Sequence, residues 1–156
     1  MAQVSIEYMI MIPILIAQIF LFPLVASTIM NNWVDSRRTI AIQEAASHLS
    51  SAMQQLYSSL NHETISAGKV TTVLDLPRHI EDYPYTGTAT LQEVSSSGSR
   101  VLEITLSYVG VGVSTTALAT FGNNMEWQDS TFLSNSTSAS IVAEKQSDGT
   151  IRMYFG

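Results

Sequence analysis

From Met9 to Met30 the chain carries no charged residue, and a single acidic side chain, Glu7, stands at the mouth of that apolar run. About 22 residues rising 1.5 Å each make a helix of roughly 33 Å, long enough to cross the hydrocarbon core of a bilayer. The sequence after the run reads as a polar domain. One segment must therefore live in lipid or in a protein-only interior, and the rest in water. Of the 156 residues 46% are apolar and 13% charged, with a net charge of −6. That composition suits one modest domain with one appended hydrophobic element and leaves no room for a second large catalytic domain.

The run has three readings. Val25-Ala26-Ser27 offers small residues to a signal peptidase, but no Lys or Arg in Met1 to Tyr8 supplies a basic n-region. As a plain transmembrane anchor, the run is flanked by Tyr8 and Trp33 at interfacial positions, and Arg37-Arg38 beyond it would hold the C-terminal domain on the cytoplasmic side. In the third reading the helix waits in a membrane and is then withdrawn into the core of a polymer of identical copies. There the positive end of the helix dipole, or a neighbour's amino terminus, would favour the Glu7 carboxylate and make it a register pin. The plainer role for Glu7 is a solvated carboxylate at headgroup level.

The chemistry-bearing residues are sparse. All seven basic residues lie between Arg37 and Arg152, singly except for Arg37-Arg38. Phosphate binding needs clustered cations, so direct nucleic-acid binding is not expected. Cysteine is absent, which removes disulfides and thiolate metal sites. His48, His62 and His79 lack metal-ligand spacing, and Glu81-Asp82, Glu126 and Asp129 build no calcium loop. No nucleophile elbow, P-loop or dinucleotide fingerprint occurs. Neither a metal, a cofactor nor an enzymatic activity is expected. Tyr83, Tyr85, Phe121 and Trp127 are expected to fill a core rather than to form an adhesive patch.

No glycine precedes Gly68, so a long helix meets only two obstacles, Pro13 and Pro23. Each withdraws a donor from the carbonyl four residues earlier, at Met9 and Ile19, inviting a kink or a stretched turn. Gln18, the one strongly polar side chain in the run, is a candidate partner for a freed carbonyl, for its own helix or for an adjacent subunit. Past Asn31-Asn32 the pattern turns amphipathic: Ile42, Ala45, Ala46, Leu49, Met53, Leu56 and Leu60 recur at helical steps, with Gln43, Glu44, Ser47, Gln54 and Ser58 opposite. A continuous helix from about Val4 to Asn61 would be about 85 Å long.

From Lys69 onward the period shortens to two, predicting strands near Val70 to Leu76, Thr86 to Val94, Arg100 to Tyr108, Gly112 to Ala119, Ala139 to Lys145 and Thr150 to Phe155. Ser97-Gly98 and Asp148-Gly149 are hairpin signals, and Ser95-Ser96-Ser97 and Ser134 to Ser138 look like surface loops. Within the latter, Asn135-Ser136-Thr137 is an N-glycosylation sequon. The expected fold class is α+β: a long N-terminal helix, apolar then amphipathic, packed on a C-terminal antiparallel sheet or small sandwich. The expected division is residues 1–62 for the helix, apolar over 1–34 and amphipathic over 35–62, and 63–156 for the β domain.

Gln3-Val4-Ser5-Ile6-Glu7-Tyr8 resembles the Gln-x-Ser-x-Glu-Tyr signature of archaeal type IV pilins, found where a short basic leader meets the hydrophobic helix. The resemblance implies that a prepilin peptidase removes the leader, that Gln3 is the first mature residue, with Met1 and Ala2 ahead of it, and that Glu7 is the acid shared across the class. It also implies a membrane-inserted precursor, handled by pilus assembly machinery and then polymerised with itself into a helical filament on the cell surface. Gln3, Ser5, Glu7 and Tyr8 would then serve assembly and register, and Pro13, Gln18 and Pro23 would lie in the filament-core helix. The alternative is a membrane-anchored extracytoplasmic adhesin or accessory pilin that never forms the main polymer. A membrane-tethered enzyme is a third class.

Overall fold

The structure, a computed structural model, describes the backbone of residues 2–94 and 98–156 and the side chains of residues 7–93 and 98–156. The side chains of Gln3 and Ser5, and the loop Ser95-Ser96-Ser97, lie outside the described residues. One helix, α1 (Ala2–Leu60), precedes eight strands: β1 (Gly68–Val73), β2 (Tyr85–Val94), β3 (Ser99–Tyr108), β4 (Ser114–Phe121), β5 (Met125–Trp127), β6 (Thr131–Leu133), β7 (Ser140–Lys145) and β8 (Ile151–Phe155). The chain forms two compact units, residues 1–37 and 38–156.

The described residues of the first unit are all helical. Pro13 and Pro23 lie inside α1 without interrupting it. Each proline removes one donor, and the turns on either side keep theirs, so the helix continues where the sequence invited a break. Hydroxyls along α1 bond back to its own carbonyls: Ser27 and Thr28 both donate to Leu24 O at 2.9 Å, and Ser36 donates to Asn32 O at 2.8 Å.

In the second unit the remainder of α1 packs against two four-stranded sheets. Ile42, Ala45, Ala46, Leu49, Met53 and Leu60 are buried and Leu56 partly so, while Gln43, Glu44, Ser47, Gln54 and Ser58 are exposed. The three- and four-residue spacing thus places one stripe inside. The helix stops at Leu60, where Asn61 N donates to Tyr57 O at 2.8 Å. Just beyond, the buried Lys145 donates Nζ to His62 O at 3.1 Å, a cation placed where the helix dipole is negative.

One sheet has the strand order β1-β7-β8-β5 and the other β4-β3-β2-β6. Every pairing is antiparallel except β5 with β8, which is parallel. The sequence predicts six strands and the described residues form eight, because β5 and β6 are three residues each, too short for alternation to reveal. The first strand ends at Val73 rather than Leu76, and β4 runs from Ser114 rather than Gly112. Along β3, Leu102, Ile104, Leu106 and Tyr108 point inward and join Ile151, Met153 and Phe155 of β8 in one core with the helix stripe. The outer face of the second sheet is hydroxyl-rich: Thr131, Thr88, Thr105 and Thr116 lie in register across all four strands. Such cross-strand threonine pairs stabilise a solvated sheet face.

Candidate functional site

The largest unsatisfied feature is the apolar half of α1. Its bulky side chains from Tyr8 to Trp33 are exposed, from 50% at Leu15 and Ile16 to 77% at Phe22. Exposure extends all round the helix, since Ile14, Leu15 and Ile16 point in three directions and share it. A helix apolar on every side has no stable place in water. This one is long and apolar enough to cross a membrane, and its most apolar stretch is wholly uncovered. Treated as a cylinder about 33 Å long and 10 Å wide, it presents on the order of 1,000 Å². Covering that area is worth roughly 25 kcal/mol before ordering costs.

Glu7 is exposed on α1. Pro13, Gln18 and Pro23 are likewise exposed on the helix surface. At the far end of the run Arg37 stacks on Trp33 at 4.9 Å, a pairing of cation and interfacial aromatic. Tyr8 and Trp33 stand about 38 Å apart along the axis, the thickness of a bilayer with part of its headgroup layers.

In the β-containing unit the polar contacts tie elements together. Arg38 pairs with Glu81 at 3.1 Å, its guanidinium sits 5.1 Å above the Tyr83 ring, and its carbonyl accepts from Tyr108 Oη at 3.0 Å. Glu81 and Asp82 adopt φ of 48° and 68°, and Ile80 and Tyr83 bridge across them, forming a tight turn of the left-handed kind. Burial pushes the Tyr108 phenol up, the Glu81 charge adds to the rise, and Arg38 opposes it. The sequence signalled neither Arg38 nor its turn, because the partners are 43 residues apart. A second polar knot forms at Asn124, whose amide donates to Asn61 Oδ1 at 2.9 Å and Gly149 O at 3.0 Å, while its oxygen accepts from Tyr57 Oη. These contacts fasten the fold.

The aromatic residues divide. Tyr85 and Phe121 are buried as expected, and Trp127 is half-buried against Phe155 with ring centroids 5.0 Å apart. Tyr83 lies at the surface beneath Arg38. His48, His62 and His79 are exposed, and among the described residues no three His, Asp or Glu side chains converge in a metal-binding group. Asn135 is exposed in the turn between β6 and β7.

Compared with known proteins, the chain matches no family model, no curated protein and no solved structure. Its class rests on architecture alone. A long N-terminal helix, apolar in its first half and packed in its second half on C-terminal β-sheets, is a pilin-like arrangement.

Proposed function

We propose that this protein is the structural subunit of an extracellular, archaeal type IV pilus-like filament, assembled through its hydrophobic N-terminal helices. The observation that carries the reading is the bare helix from Tyr8 to Trp33, apolar on all sides and marked at its N-terminal end by one carboxylate, Glu7. Identical helices gathered side by side would cover one another. Their head-to-tail stacking is the non-closing association from which fibres grow. The precursor would wait in the membrane, where prepilin peptidase and assembly machinery act on it, and would end at the cell surface. The β-containing unit supplies a folded polar body for such a subunit, and the role asks for no catalysis and no cofactor.

Lipid competes for the same surface, and the Trp33–Arg37 stack favours a second reading, a membrane-anchored adhesin or accessory pilin, because cation and ring suit a headgroup layer. Electron microscopy of the purified protein after detergent removal separates the two. Long fibres of uniform diameter support the filament subunit. Dispersed monomers, or a few copies clustered by their helices, would rule it out in favour of the anchor.

A further inference from the structure

We propose that Asn135 is the acceptor of an N-linked glycan, an inference that rests on the reading of an exported surface protein. Asn135-Ser136-Thr137 is the only Asn-x-Ser/Thr triplet in the sequence. The structure presents it as an acceptor must be presented. Leu133 O accepts from Ser136 N at 3.0 Å, so Ser134 and Asn135 form the corner of a turn. Beneath the corner, buried Ser134 is held on both sides: its Oγ accepts from Tyr85 N at 2.9 Å and donates to Arg78 O at 2.7 Å.

One residue further on, Asn135 is exposed, and no hydrogen bond among the described residues holds its carboxamide. Thr137, whose hydroxyl completes the sequon, is exposed as well. Beyond it Ser138 N donates to Ser136 Oγ at 3.3 Å, ending the loop before β7. A rigid base, a free amide at the corner and a free hydroxyl two residues later make the triplet accessible without unfolding any strand.

The setting gives the sugar a physical task. Ser136 and Thr137 line the same hollow as Val73, the last residue of β1 and 72% exposed. β1 is an edge strand, exposed at all six positions. An open edge with apolar side chains invites pairing with another chain. A bulky hydrophilic group on Asn135, next to Ser136, would stand near the Val73 end of β1 and hinder pairing there.

In the transfer, Asn135 Nδ2 forms a bond to the anomeric carbon of a lipid-phosphate-linked oligosaccharide. The bond from that carbon to the phosphate oxygen breaks, the lipid phosphate leaves, and the amide proton passes to a base of the transferase. The test is mass spectrometry of the peptide spanning Asn135, taken from protein recovered at the surface of the native cell. A saccharide increment on Asn135, kept in Thr137→Ser and lost in Thr137→Val with the circular dichroism spectrum unchanged, is the expected result. An unmodified Asn135 in surface-recovered wild-type protein, or a modification that survives Thr137→Val, overturns the site while leaving the filament reading intact. Protein found only in the cytoplasm would instead remove the reading on which the site rests.

Discussion

The ring of Phe132 on β6 occupies the place that a β-carbon on Gly87 of β2 would take. The two residues are direct cross-strand partners, and the ring is held further by edge contacts with Tyr85 and Phe155, with centroids at 6.4 and 4.8 Å. A glycine in mid-strand is otherwise a weakness. Here it makes room for the aromatic that closes the core at the edge of the second sheet.

Gly87→Ala should therefore destabilise the β-containing unit, by about 1–3 kcal/mol as overpacked cores do, despite alanine's better backbone propensity. Urea titration of the detergent-held protein, followed by aromatic circular dichroism, measures it. Phe132→Leu in the same chain should recover part of the loss, since a smaller side chain frees the volume. An unchanged midpoint for Gly87→Ala would mean that the ring moves aside freely.

A second prediction concerns the turn at Glu81-Asp82. Both residues hold positive φ, which costs a residue bearing a β-carbon and costs glycine almost nothing. Asp82→Gly should leave stability unchanged or raise it by up to about 1 kcal/mol, whereas Asp82→Val should lower it, because a β-branched residue resists that conformation. Thermal melts of the two variants should move apart. Equal melting temperatures would show that the turn relaxes to another conformation at no cost.

Alkaline pH provides a third. Tyr85 is buried, and desolvation first, with the Tyr108 phenol adding, pushes its pKa from 10.0 up to about 12. Unfolded, the phenol ionises near pH 10; folded, it keeps its proton until about 12. Between those values the unfolded state binds fewer protons than the native state, so stability falls as pH rises. The slope approaches about 1.4 kcal/mol per pH unit for one group, and it flattens above the folded value. Tyr85→Phe should remove most of this slope, at the expense of the 2.8 Å bond to Pro77 O. Denaturation midpoints taken from pH 9 to 12 check it, and parallel curves for wild type and variant would assign the slope elsewhere.

How much of this was readable beforehand follows from the range of the interactions. The stripe from Ile42 to Leu60 was legible because helical contact repeats every three to four residues, within reach of a local pattern. The strands with five or more residues were legible for the same reason at period two. β5 and β6 were not, because each exists only through a distant partner: Met125 through Ile151 and Phe132 through Gly87. Arg38 and Glu81, and Lys145 with the carbonyl of His62, escaped as well, since nothing local marks a side chain that crosses from helix to loop or strand. Glu7 and the apolar run were conspicuous from composition, because neither depends on a distant partner to be seen.

The last prediction concerns that carboxylate. Lipid tails are as apolar as leucine, so moving the run from Met9 to Met30 from bilayer to helix bundle gains little hydrophobic energy. What differs between the two surroundings is the treatment of a charge. A carboxylate at the edge of lipid must stay near water or take up a proton, whereas in a bundle a neighbour's cation can pair with it at low dielectric. In the proposed filament Glu7 would then be the residue through which the polymer outcompetes the membrane, by virtue of its charge. Glu7→Gln, similar in size and uncharged, should insert in the membrane like wild type yet assemble into filaments at least tenfold less. Glu7→Asp should retain partial assembly, with its charge set back by one methylene. Membrane fractionation alongside filament counts by electron microscopy separates insertion from assembly, and wild-type filament yield from the Gln variant would show that packing alone draws the helices out of lipid.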